Sequence, residues 1–145
     1  MNRPQRVPPR AATIALGVHS APTRFVPPGG AAFALLGLSG RRTTLGVDIA
    51  TGFNERLLGW LGRERPPGER GLWIAPCDGV HTFGMRFPID VLFLDCAGVL
   101  LRVDAAVEPW RARVCIGAYS VIELRAGLAA ELGLVPGVTF ELRSV

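Results

Sequence analysis

The chain has 145 residues, 49% of them hydrophobic and 19% charged, a balance that suits one globular domain and excludes wholesale disorder. No apolar run approaches the roughly eighteen residues that a membrane-spanning helix needs, so no membrane span is expected. The net charge of +4 is unevenly held: residues 1–42 carry six arginines and no acid, while residues 43–145 carry ten arginines against twelve acids. A basic tail ahead of a mildly acidic domain offers no basic face, and nucleic acid is not expected as a partner.

Residues 1–42 read as a Pro/Arg-rich N-terminal extension. Six of the twelve prolines fall here, which prevents a long helix, and the arginines have no acids nearby to pair with. The segment is expected to lack fixed structure apart from a short helical turn at 31–38, and residues 1–40 are expected to be dispensable for folding. The apolar stretch Ala31 to Leu38 is short and has no cleavage site after it, so it does not read as a signal peptide. Together with an odd number of cysteines, this points to the cytoplasm.

The ordered domain is placed at 43–145. Residues 43–50 alternate, with Leu45, Val47 and Ile49 on one face, as a half-buried strand does. Phe53, Leu57, Trp60 and Leu61 then recur at helical spacing, and predict a short helix over about 52–62. Pro66, Pro67 and Gly68 break the chain. Strands follow at 72–75, at 80–87 and at 89–94, the last nearly continuously apolar, as a strand covered on both faces would be. Asp95-Cys96-Ala97-Gly98 has the pattern of a type I turn, leading into a strand at 99–103. Further strands are expected at 112–116, 119–124 and 138–143, with a second short helix at about 127–133. Many short strands and two short helices make the domain mainly β, bordering on α+β: a compact antiparallel β-sandwich or barrel-like fold.

Chemistry-bearing side chains concentrate between Gly71 and Asp95. If 80–87 is one strand, His81 shares a face with Phe83, Met85 and Phe87, while Thr82 and Arg86 point the other way. Asp90 falls among apolar residues and needs a partner, for which Arg86 is the natural candidate. Cys77 and His81, with Asp90, are the candidates for catalysis, as thiol nucleophile, base and carboxylate. His81, Arg86, Trp110, Arg111 and Glu123 are the candidates for ligand binding. Metal binding is not expected: the three cysteines stand 19 residues apart with no Cys-x-x-Cys pair, a spacing that no common zinc site uses. No phosphate-cradling loop, zinc-protease histidine pair or serine elbow occurs, and no cofactor is implied.

Five stretches resemble the prokaryotic family known as domain of unknown function 192, in that family's order. They are RLLGWLGRE at 56–64, PCDGVHTFGMRFPIDVLFLDCAG at 76–98, PWR at 109–111, VIELRAG at 121–127 and LGLVPG at 132–137. The resemblance implies a compact, mostly antiparallel β domain and supplies no activity, substrate or cofactor. Family-characteristic positions fall on Cys77, His81, Thr82, Met85, Arg86, Pro88, Asp90, Asp95, Trp110, Arg111 and Glu123. Leu128 and Val138 depart from the pattern, which has threonine and aspartate there. The function expected is a binding or interaction module, with a shallow site for a small anionic or sugar-like ligand or a peptide. An enzyme using Cys77 or His81 with Asp90, and an accessory subunit of a larger assembly, are the alternatives.

Overall fold

In the computed structural model the described residues are 30–38, 41–50, 60 and 70–144, with side chains described at 45–50, 60 and 70–141. The expected helix at 52–62 lies outside them, except for Trp60. So does the extension ahead of Gly30.

The fold is mainly β. Seven strands form one sheet: β1 (Gly30–Leu38), β2 (Arg41–Ala50), β3 (Arg70–Ile74), β5 (Ile89–Leu94), β6 (Leu100–Val107), β8 (Ser120–Arg125) and β9 (Thr139–Ser144). Their spatial order is β6-β5-β8-β3-β2-β1-β9. A second, two-stranded ribbon pairs β4 (Gly79–His81) with β7 (Ala112–Val114). The short helix α1 spans Leu128–Glu131, within the expected second helix.

Every pairing in the large sheet is antiparallel except that of β2 with β3, which is parallel. Parallel neighbours need a crossover, and residues 51–69 are long enough to provide one. The sheet is therefore mixed. It is also not a closed barrel: its two edges meet at one bridge, Val99 with Thr139, rather than along a ladder. That approach depends on Gly98, whose φ is +82°. A Cβ there would lie 2.5 Å from the Phe140 carbonyl oxygen, and Phe140 N–H donates to the Gly98 carbonyl at 2.8 Å.

The central strands are apolar on both faces because both faces are covered. Trp73, Leu92, Leu94, Ile122 and Leu124 pack on one side with Leu128 and Ala129 of α1 and with Phe140. Leu72, Ile74, Ile89, Val91, Phe93 and Val121 pack on the other with Trp60, Met85 and Cys115. All six residues of β5 are buried, as its unbroken apolar pattern predicts. The turn at 95–98 also forms as expected. Gly98 N–H donates to the Asp95 carbonyl at 3.1 Å, and Asp95 Oδ1 accepts from Ala97 and Val99.

Two local expectations are corrected. Residues 31–38 are strand β1, not a helical turn, because β2 and β9 flank them on either side and both offer ladders that a helix could not use. Dispensability can thus reach no further than the residues ahead of Gly30. The expected strand at 80–87 stops at His81. From Thr82 the chain turns, with Met85 N–H donating to the Thr82 carbonyl at 3.2 Å and Gly84 at φ +79°. The alternation that grouped His81 with Phe83, Met85 and Phe87 therefore fails at Met85 and Phe87, which pack on the core while Phe83 stays exposed.

Near the end of β8, Arg125 makes two hydrogen bonds to Glu131, one at 3.0 Å from Nη1 to Oε1. This hydrogen bonding, aided by the arginine's charge, holds the Glu131 carboxyl below its ordinary value. A group with a lowered folded pKa adds stability at neutral pH that disappears as the pH falls through that pKa. Glu131 is exposed, so the effect is small and salt-sensitive. Glu131→Gln is expected to flatten the acid limb of a stability-versus-pH curve slightly, with the difference shrinking in high salt. An unchanged acid limb at low salt would remove the pair from the stability account.

Among the described residues no helix is long and apolar enough to cross a membrane.

Candidate functional site

The loops that follow β4 and precede β7 build the most distinctive surface of the domain. Its anchor is Thr82, which is fully buried. The Thr82 hydroxyl donates to the Glu108 carbonyl at 2.7 Å and accepts the Arg111 N–H at 2.9 Å. Thr82 N–H donates to the Arg111 carbonyl at 2.8 Å, and the Thr82 carbonyl accepts Trp110 N–H at 3.0 Å. One buried residue thus ties residues 108–111 to the end of β4 through both its backbone and its side chain.

This clamp holds Trp110 in the left-handed region, at φ 63°, which a bulky side chain adopts only when its surroundings impose it. The indole is 66% exposed. Its ring stacks on Phe83, with centroids 6.1 Å apart and planes 24° from parallel. Phe83 in turn stacks on His81 at 5.1 Å and 26°. His81 Nδ1 accepts the Phe83 N–H at 3.3 Å, so in the neutral ring Nε2 carries the proton. Three rings therefore form a continuous stack at the surface, ending on an open indole face.

Arg86 and Arg111 are both exposed on these two loops. Arg111 Nη1 donates to the Trp110 carbonyl at 3.2 Å. Arg86 forms no ion pair with Asp90, contrary to the expectation. Asp90 is fully buried, and both its carboxylate oxygens are taken by backbone: Oδ1 accepts Ala106 N–H at 2.8 Å and Oδ2 accepts Ala129 N–H at 3.0 Å. The first donor comes from an irregularity in the β5–β6 pairing where Ala106 has φ 48°, the second from the start of α1. Backbone donors satisfy a buried carboxylate without burying a second charge, which is why the arginine is not needed.

The other predicted residues are dispersed. Asp90 lies between Ile89 and Val91, which face the cluster that Cys77 packs against, so Asp90 faces the opposite side of the sheet. It cannot join Cys77 and His81 in one catalytic group. Cys77 Sγ donates to the Gly79 carbonyl at 3.0 Å, on the rim of a shallow concavity lined by Pro76, Cys77, Asp78, Ala118 and Tyr119. Glu123 is buried in mid-sheet between Leu72 of β3 and Val91 of β5, away from solvent. Among the described residues no group of His, Cys, Asp and Glu is placed to hold a metal. His81, Trp110 and Arg111 are brought to one surface; Asp90 and Glu123 are not.

Phe83 and Thr82 were not singled out as site residues from sequence. The available signal was chemical: a phenylalanine and a threonine between a histidine and a glycine, in a run too polar to continue a core strand.

Two solved structures share this fold. One, from Sinorhizobium meliloti 1021, is provisionally described as a transcription regulator; it is 22% identical, with a TM-score of 0.72 over 79% of this chain and 95% of its own. The other, a protein of unknown function from Novosphingobium aromaticivorans DSM 12444, is 21% identical, with a TM-score of 0.69 over 85% of this chain and 94% of its own. At these identities the likeness is one of fold. The sequence is more specific: residues 35–142 match DUF192 (Uncharacterized ACR), and the chain belongs to that family. No curated protein matches the chain.

Proposed function

We propose that this domain is a binding module whose recognition surface is the stack of His81, Phe83 and Trp110, with Arg111 at its side. The observation that carries this reading is Trp110 itself. A residue that is 66% exposed and held at positive φ contributes little to the core and costs backbone strain, on the order of 1–3 kcal/mol. Packing alone would favour glycine there. A retained indole, rigidly presented by a buried threonine, is the feature expected of a site organised before its ligand arrives.

Among the described residues, the predicted catalytic side chains do not form a couple that would compete with this reading. His81 Nδ1 is engaged by Phe83 N–H, Cys77 bonds to Gly79, and Asp90 lies across the sheet. A reducing compartment such as the cytoplasm suits Cys77, Cys96 and Cys115, none of which is in a disulfide.

The chain holds three tryptophans, and Trp60 and Trp73 are buried, so quenching of fluorescence by acrylamide reports chiefly on Trp110. Protection of that fluorescence is expected when a panel of sugars, small acids, nucleotides and peptides is screened. Trp110→Gly removes this reporter, so binding to the variant is read by calorimetry, where it should be lost, while stability stays unchanged or rises by up to about 1 kcal/mol, since glycine relieves the strain. A marked loss of stability in Trp110→Gly would make the indole a structural cap instead. If no compound protects Trp110, the surface is not a ligand site.

A further inference from the structure

The stack carries a charge signature that names its ligand class, an inference that rests on the binding reading above. Six arginines have described side chains. Arg70 pairs with Asp48, Arg102 and Arg113 with Asp104, and Arg125 with Glu131. The remaining two, Arg86 and Arg111, have no carboxylate partner among the described residues, and they are the two on the loops that hold the stack. Glu108 is exposed on the same loop, yet its carboxylate pairs with neither of them.

We propose that this surface binds an acidic sugar: a saturated ring carrying a carboxylate or phosphate, its C–H face against Trp110 and its anionic group on Arg111, with Arg86 adding to the attraction. Each part of that chemistry has a counterpart on this surface. An open aromatic face attracts a polarised C–H surface and excludes water from it. A guanidinium presents a planar fork that carboxylate and phosphate oxygens match. The protonated Nε2 of His81 and the exposed Glu108 supply a donor and an acceptor for ring hydroxyls. Trp110 and Phe83 are both exposed, which suits a ligand that keeps one side in water. A long polyanion is disfavoured, because residues 43–145 carry twelve acids against ten arginines and offer no continuous basic track.

The test titrates the full chain, following Trp110 fluorescence, with glucuronate, glucose 6-phosphate, glucose, citrate and adenosine monophosphate. Saturable binding of glucuronate or glucose 6-phosphate is expected, at least about tenfold tighter than glucose, with citrate weaker than either acidic sugar. Comparing the two acidic arms separates a carboxylate from a phosphate source. Arg111→Met should bring the acidic sugars down to the level of glucose. Because Arg111 is exposed, its fold can be checked by an unchanged melting curve. Equal affinity for glucose and glucuronate would overturn the acidic-sugar assignment and leave the binding surface standing. So would tighter binding of adenosine monophosphate or citrate. Selectivity for acids that survives in both Arg111→Met and Arg86→Met would overturn it too. Failure of every compound here and in the wider panel would sink the binding reading itself.

Discussion

Asp90→Ala is expected to lower the unfolding free energy by about 2–5 kcal/mol at neutral pH, measured by urea denaturation. The carboxylate is fully buried and receives the N–H groups of Ala106 and Ala129. Alanine leaves the Ala129 N–H without an acceptor in the buried interior and the Ala106 N–H without one in a half-buried position, the first costing on the order of 1–3 kcal/mol and the second less. It also unties three elements at once, since Asp90 on β5 joins an irregular point of β6 to the start of α1. Arg86→Met, in contrast, should stay within about 0.5 kcal/mol of the wild type, as an exposed side chain without an ion pair should. Additivity of the two changes in a double-mutant cycle is the expected result. A strong coupling between them would mean that the arginine reaches the carboxylate in solution after all.

Thr82→Val should cost about 2–4 kcal/mol, and its second effect is diagnostic. Valine keeps the shape but neither donates to the Glu108 carbonyl nor accepts the Arg111 N–H. Both backbone groups then lose their partner beside a buried position, and the strained conformation of Trp110 loses part of what imposes it. Accessibility of Trp110 to acrylamide should therefore rise. Thr82→Ser, which keeps the hydroxyl, should restore most of the stability and the original quenching, losing about 0.8 kcal/mol for its methyl group. If serine and valine behave alike, the hydroxyl is not what holds the loop.

The parts of the fold legible in the sequence are those whose signal is local. β5 could be read from six apolar residues in a row, and the 95–98 turn from an aspartate and a glycine at fixed offsets. What could not be read was decided by distant partners. GAAFALLGL, the sequence of β1, is rich in the helix formers alanine and leucine, and becomes a strand because β2 and β9 lie beside it. The parallel pairing of β2 with β3 leaves no mark in either strand's composition.

The candidate site divides the same way. That Asp90 would be buried followed from its neighbours, but its partners lie 16 and 39 residues away, where no spacing rule points. His81, Trp110 and Arg111 stood out by residue type. Phe83 does lie with His81 and Thr82 away from them, but a period of two carried past the end of the strand wrongly added Met85 and Phe87, which pack on the core.

The pairing of β1 with β9 has a consequence for how the protein is made. Partners in that ladder, such as Gly37 and Thr139, are separated by about 100 residues, so the sheet cannot be completed until all of those residues have been made. A nascent chain that has emerged as far as α1 already has β1 and β2 but lacks the strand that covers the outer edge of β1. That edge offers open N–H and C=O groups to any neighbouring chain until β9 appears. The Val99–Thr139 bridge, which brings the far edge of the sheet against β9, must wait for the same event. Covering of the β1 edge and formation of that bridge are thus one event, set by the emergence of β9.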